Sequence, residues 1–558
     1  MRHLRMGYHI SCIIRFMTKN STTQAIRATS SAIFAEIAGR GQRRLRALGD
    51  LLHCSKSSVH RHVRAAARRN QHPESGLWET EAGQIWLRLL VFATLYTFGL
   101  QQHVGTSTLS AFFHLIRIPT HVGVSPSALR IQLNRMEALL PVFQQQCEAS
   151  VSRRMRPAVV AADETFFGEV MILVLMDLSS GYLLLESIQE DRGFDTWLAQ
   201  AAPRLATLGI EVNHAISDRA KALIKLAVSG FECTSGADTF HEQYGLSRWL
   251  SPALGRRQAQ AGRGCEQAQK ALDKPPAGVS IGDTGALAVQ LANAQAIRAQ
   301  VEQAQEEYRR QLLGIAEEVH PFSLTENSGT TADRVAVKLE KRAQALETLA
   351  MQQGIPDTRG ALKKFRAQID ALSSPVGFWW LWVEEILRGW TVAEATQQGL
   401  TNKLLPVLYW HHHRQKTQNS RHRQRNREAW QRTLQAFDAD PFRKGLTESE
   451  FQRWLEWGEW MVRQFHRGSS AVEGRNGRLS QLYHNGRGLT TSRLAALTVI
   501  HNYGLKRGDG TTAAERLLGT PFPDLFDGLL GQMGELPLPR KSRQRVVHNP
   551  LKLESVPA

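Results

Sequence analysis

The chain has 558 residues, 42% of them hydrophobic, with 69 Lys plus Arg against 51 Asp plus Glu and a formal net charge of +18. That length exceeds what one hydrophobic core organises, so several domains are expected, and the excess of cations points to a polyanionic partner, nucleic acid first. The five cysteines (Cys12, Cys54, Cys147, Cys233, Cys265) lack CxxC spacing, which speaks against a zinc site or a disulfide framework and fits a reducing cytosol.

Residues 1–70 carry 14 Lys or Arg against Glu36 and Asp50, a basic front end that is the first DNA-binding candidate, with a solvated or disordered arm as the plainer reading. The apolar piece "GYHISCIIRFM" contains Arg15 and has no small-residue cleavage pattern, unlike a signal peptide. Within 31–69, Leu45, Leu48, Leu51 and Leu52 recur at helical spacing, "HCS" supplies a turn, and Ser55 can cap a second helix with Val59 and Val63 inside. Lys56, Ser57, His60, Arg61 and Arg64 then form its outer face, a composition suited to base edges and phosphates in a major groove. The run "IWLRLLVFATLYTFGL" (85–100) contains Arg88 and is too short for a membrane span, so a buried helix is expected. A second helix pair is predicted at 109–139, with a turn at Val122–Ser125 and structural packing as its main duty.

From 157 to 237 the period changes to that of strands. Three strands, a helix, a strand, a helix and a strand are predicted, with Ser179-Ser180-Gly181 as a hairpin turn; together they describe a mixed α/β sheet. Residues 240–465 read as mostly helical, with a loop at "HPFSLTENSG" and an acid-free cationic run at 414–427. Three adjacent histidines, His411 to His413, face different ways on a helix and read as a polar surface. The tryptophans Trp379, Trp380, Trp382, Trp390, Trp454, Trp457 and Trp460 read chiefly as core.

In "VVAADETFFGEV" two acids, Asp163 and Glu164, follow a run of buried-type residues, and a buried charge needs a partner. The fourth predicted strand, "EVNHAISD", also ends in an acid, Asp218. If these strands are neighbours, both carboxylates emerge at one edge, an oxygen-rich setting that hard divalent cations accept. A third carboxylate would complete a two-ion site for phosphoryl transfer. Each acid also has a plain structural use: Asp163 as a strand-end acid, Asp218 as an N-cap, Glu473 as a helix-dipole charge. Glu164 is an alternative ligand, and Asp177, Glu169 and Asp238 are reserves suited to hairpin or loop duty.

With "SSAVEGRNGRLSQLYHNGRGL" (469–489) added, the chain resembles a DDE-type transposase of bacterial insertion sequences. The matching residues are Asp163 in "AADET", Asp218 in "AISDRA" and Glu473 in "SAVEGRNGRL". Supporting segments are "GADTFHEQYGLSRWL" (236–250) and "LTVIHNYGLKRGDGTTAAERLLG" (497–519). The resemblance covers roughly 155–520. It implies a ribonuclease-H-like core and a catalytic triad of Asp163, Asp218 and Glu473 on two Mg²⁺ or Mn²⁺ ions. Cleavage at transposon ends and strand transfer of the 3′-hydroxyl into target DNA would follow, with a homodimer on paired ends in the cytoplasm, associated with the nucleoid.

The step of 255 residues from Asp218 to Glu473 then requires a large helical insertion. His241, Asn476 and Arg478 become candidates for phosphate, water or DNA-backbone contacts, and Arg478 joins the DNA-binding set. The expected organisation is multidomain, α/β plus all-α. A basic arm and helix-turn-helix DNA-binding domain occupy 1–75, and a helical linker or second helical DNA-binding domain 76–155. The ribonuclease-H-like mixed-sheet core occupies 156–240 and 466–525, interrupted by an α-helical insertion at 241–465, with a basic tail at 526–558. Two rival readings keep the DNA partner: a structure-selective nuclease or resolvase on the same fold, and a catalytically dead DNA-binding regulator. A helical scaffold protein follows only if the strands at 157–237 fail to form.

Overall fold

The structure is a computed structural model that describes residues 25–37, 39, 44–152, 154–274 and 284–539. The start of the basic arm, with Cys12 and the apolar piece beside it (1–24), and most of the basic tail (540–558) lie outside these residues. Among the described residues the chain is mostly helical with one mixed five-stranded sheet, and it divides into two compact units. One comprises 1–151, 481–515 and 519–558; the other comprises 152–480 and 516–518. The stretch expected as a single piece, 466–525, is thus shared between them.

In the first unit, the helix over 25–37 and the helices Leu45–Leu51 and Lys56–Arg69 close on Ile33, Leu48 and Val59. Ser55 caps the third of these by accepting from the Ser58 N–H, which satisfies one orphan donor of the first turn. Leu51, expected inside, is exposed, while Leu45 and Leu52 pack on the cluster. The turn runs close: a side chain at Gly49 would place its Cβ 2.6 Å from the Cys54 carbonyl oxygen. The apolar run forms the helix Glu81–Thr94, which continues through Gln101 as a π-helical stretch. By length and composition this helix passes for a membrane span, yet half of its most apolar window is buried. Its Arg88 donates to the carbonyls of Leu530 and Met533, so it is a packed helix of the unit. Ser125 and Pro126 begin the long helix Pro126–Ala149, with Leu129 and Leu133 inside.

In the second unit, β1 (Arg156–Phe167), β2 (Val170–Asp177) and β3 (Leu183–Gln189) form an antiparallel meander. Gly181, at φ +78°, supplies the left-handed residue that the hairpin needs, and Asp177 accepts from the Ser180 N–H at 2.8 Å. The helix Phe194–Leu208 leads to β4 (Ile210–Ser217), and the short helix Lys221–Lys225 leads to β5 (Thr234–Ala237). The order is β3-β2-β1-β4-β5, with β4 parallel to both β1 and β5. The inner strands read as continuous apolar runs because both faces are covered: Val159, Val160 and Ile172 to Leu175 are almost wholly buried.

The helical insertion leaves β5 through the helix Thr239–Asp273 and returns after the helix Glu448–Arg463. The latter is opened by a capping box of Thr447 and Glu450. An aromatic core fills the insertion, with Trp379, Tyr409, Trp410, Phe322 and Phe465 buried. His413 belongs to this core, 5.4 Å from the His320 ring, and His411 and His412 are half-buried. The expected polar histidine surface is therefore corrected: a helix packed on two sides leaves no outward face for all three. Trp382, Trp454 and Trp457 are buried as expected, whereas Trp390 and Trp460 are partly exposed.

Candidate functional site

Three parallel strands place an acid at one edge of the sheet. Ala161 pairs with Ile216 and Ser217 with Ala237, so Asp163, Asp218 and Asp238 follow within two residues of the last paired positions. Carboxyl ends of parallel strands are where open α/β sheets place their ligand sites. Asp163 lies inside β1 and not after it. From Ala162 onward the strand pairs with β2 alone, because β4 has already turned away, and that leaves the Asp163 edge open.

Neighbouring strand residues point to opposite faces, which separates the two acids of the "DE" pair. Asp163 Oδ2 accepts from Asn476 Nδ2 at 2.8 Å, and its Oδ1 accepts from the Glu164 N–H. Glu164 instead accepts from Trp197 Nε1 at 3.3 Å. Burial pushes Asp163 up to about 7, with His241 opposing and Asp218 adding to the rise. Burial likewise raises Glu164.

Asp218 is exposed and accepts from the Ala220 N–H at 2.9 Å. It does not cap the following helix, whose N-cap is Ala220. Arg219 adopts φ +66°, a left-handed conformation costly for a residue with a side chain. Its guanidinium is fixed by Gln368 Oε1 and by Ser235, which anchors the turn that follows Asp218.

Asp238 has a different task. Almost wholly buried, it accepts from the Phe240 N–H at 2.7 Å through Oδ1, and from the Ser469 N–H and hydroxyl through Oδ2. Thr239 also donates to the Arg467 carbonyl, from its N–H and from its hydroxyl at 2.7 Å. These bonds clasp the departing and returning ends of the insertion. Burial acts to raise Asp238, but His241, Ser469 and Phe240 outweigh it and hold the carboxyl below its ordinary range.

The clasp delivers Glu473. It sits half-buried in the first turn of the helix Ser470–Leu482, with Oε1 3.5 Å from His241 Nδ1, which lies 3.6 Å from Asp238 Oδ2. His241 is pushed up to about 9: Asp238 favours its charged form against burial, and Glu473 and Asp163 add to the effect. Burial raises Glu473, as does Asp238. One turn after Glu473, Asn476 reaches Asp163, and between them Arg475 makes a two-pronged, fully buried ion pair with Glu186 on β3 (2.8 and 2.7 Å). His241 thus stands 3.5 Å from Glu473, Asn476 of the same helix reaches Asp163 at the open strand edge, and Asp163 feels the charge of both His241 and Asp218.

The residues fit a divalent cation. Carboxylates outnumber the local cations His241 and Arg219, and Glu473 Oε1, His241 Nδ1 and Asn476 Oδ1 are buried without a hydrogen bond. Asp238, His241 and Glu473 have ligand atoms within 4.8 Å of one another. However, Asp238 already accepts from Phe240 and twice from Ser469, and a hard ion prefers oxygen to an imidazole nitrogen, so this trio makes a poor ligand set for Mg²⁺. Asp163, Asp218 and Glu473 offer the oxygens that Mg²⁺ prefers.

Glu242 was missed in the sequence. Burial pushes it up to about 7, with His241 opposing and Asp238 adding; its spacing of four from Asp238 on a helix was the available signal. Of the reserves, Asp177 serves the hairpin and Glu169 lies exposed in the β1–β2 turn. Arg478 is half-buried on the Glu473 helix. In the first unit, Lys56, Ser57, His60, Arg61 and Arg64 are all exposed on the helix Lys56–Arg69, opposite buried Val59.

Residues 400–545, which include the Glu473 helix, match a family described as one of unknown function (DUF6399). No curated protein matches the chain.

Proposed function

We propose that the chain is a DDE-type DNA transposase that cleaves DNA at transposon ends and transfers the freed 3′-hydroxyl into target DNA. The observation that carries this reading is the return of Glu473, after 255 residues, to the sheet edge that holds Asp163 and Asp218. The meander followed by two parallel strands, in the order β3-β2-β1-β4-β5, supports a ribonuclease-H-like core. Asp163, Asp218 and Glu473 would hold two Mg²⁺ or Mn²⁺ ions. Bound there, such ions stabilise charge on a transferring phosphoryl group and lower the pKa of a bound water or hydroxyl.

The chain's own side chains do the rest. Asn476 orients Asp163, the Asp238 clasp positions Glu473, and the protonated His241 ring supplies a hydrogen-bond donor for a phosphate oxygen. The exposed row Lys56, Ser57, His60, Arg61 and Arg64 supports a helix-turn-helix role for 45–69, with the cations taking phosphates and the shorter side chains base edges. The reading places the protein in the cytoplasm, as a homodimer on two paired ends.

The test is incubation of the full chain with DNA carrying the element's own ends and Mg²⁺ or Mn²⁺. Nicking at the ends, then joining to a second duplex, is expected; binding without nicking would favour the regulator, and nicking without joining the nuclease. In the same system, Lys56→Ala, Arg61→Ala and Arg64→Ala should each flatten the dependence of log K on log salt by roughly 0.9 for every phosphate that the variant leaves unneutralised. An unchanged slope in all three would move the DNA-binding face elsewhere.

A further inference from the structure

The helix Thr239–Asp273 starts at the Asp238 clasp and carries His241 in its first turn. Its inner face is ordinary, with Leu246, Leu250 and Leu254 almost wholly buried. On another face Phe240, Tyr244 and Arg248 recur every four residues, the spacing that aligns side chains along a helix. Phe240 is 54% and Tyr244 53% exposed. Their rings lie nearly parallel, 12° apart with centroids at 6.2 Å, and the Arg248 guanidinium stands 5.8 Å from the Tyr244 ring centre. Phe240 also meets His241 edge to face at 6.1 Å, so the row begins at the candidate catalytic site.

Two large rings stand half in water along one stripe, closed by a guanidinium. The charge of the segment indicates what covers them: residues 240–265 hold four arginines against one acid, Glu242, which suits a polyanion. Flat aromatic faces with cations beside them take nucleotide bases by stacking. In a duplex the base faces are already covered by their neighbours, so free rings select unpaired nucleotides.

We propose that Phe240, Tyr244 and Arg248 form a stacking rail for unpaired nucleotides beside the cleavage site, so that the preferred substrate is DNA whose end is frayed or single-stranded. This rests on the function proposed above and adds the state of the strand that the site accepts. Phe240 and Tyr244 take base faces, and Arg248 takes a phosphate while it braces the second ring.

The experiment measures binding of a short fluorescent oligothymidylate and of a blunt duplex by the full chain. Phe240→Ala and Tyr244→Ala are each expected to weaken oligothymidylate binding roughly 5- to 100-fold. Phe240→Trp should retain binding, and Arg248→Ala should flatten the salt dependence by about 0.7, the value for one single-strand phosphate. The blunt duplex should change by less than about 2-fold, because its bases present no free faces. Thermal unfolding should move only slightly, since each ring is about half in water. Oligothymidylate binding that survives loss of both rings, or equal losses on single strand and blunt duplex, would overturn the rail. Nicking by the same preparations keeps the two claims apart. A wild type that never nicks, but whose oligothymidylate binding depends on the rings, sinks the transposase reading and leaves the rail. A wild type that nicks, with ring variants that bind like it, does the reverse.

Discussion

Asp163→Asn, Asp218→Asn and Glu473→Gln are each expected to lower metal-dependent nicking of the element's ends by about 10³-fold or more while DNA binding persists. An ion lost from a phosphoryl-transfer site removes several kcal/mol of transition-state stabilisation, and each 1.36 kcal/mol is a factor of ten. Binding should persist because the exposed cations of Lys56–Arg69 lie in the other unit. The same substitution at Glu169, exposed in the β1–β2 turn, should leave nicking at wild-type level. Nicking is measured on end-bearing DNA in Mg²⁺ and in Mn²⁺. If Glu473→Gln cuts like the wild type, the third acid lies elsewhere.

Glu186→Leu is expected to cost about 3 to 5 kcal/mol of stability, because it leaves the Arg475 guanidinium buried and uncompensated. Both side chains of the pair are almost inaccessible, at 0% and 4%. Glu186→Leu combined with Arg475→Met should recover most of that loss, since apolar groups of similar size commonly replace a buried ion pair without penalty. Nicking should not recover to the same extent. The bidentate geometry fixes the helix Ser470–Leu482 on β3, and through it both Glu473 and the Asn476 bond to Asp163. Denaturant unfolding and nicking rates on the same preparations check this. Full recovery of both would make Glu186 and Arg475 a stability element only.

What could be read from the sequence was local. Alternating and continuous apolar runs marked all five strands, the Ser-Ser-Gly turn marked a hairpin, and Ser55 and Pro126 marked helix starts. The strand-end acids were visible because charges after a buried run demand a partner. Features that depend on distant residues were not visible. The continuation of β1 past Asp163 depends on where β4 stops, and pairing limits leave no periodic trace. Asp238 reads as a loop acid until Ser469, 231 residues on, closes on it. Glu242 and His413 were concealed by a uniform helical pattern, in which burial depends on which elements pack against each face. The resemblance led to Glu473, and the clasp supplies the physical reason that a chain can leave for more than 200 residues and return: the loop's entropy grows only with the logarithm of its length.

The most direct measurement is calorimetric titration of Mn²⁺ into the full chain and into Asp163→Asn, Asp218→Asn, Glu473→Gln and Asp238→Asn, with folding of each checked by thermal unfolding. Saturable binding that is weakened at least tenfold by each of the first three substitutions, and retained by Asp238→Asn wherever that variant folds, is the predicted result. Binding that survives Glu473→Gln and Asp163→Asn in folded protein would contradict the shared carboxylate site, and with it the reading of these acids as the centre of a DNA-cleaving enzyme.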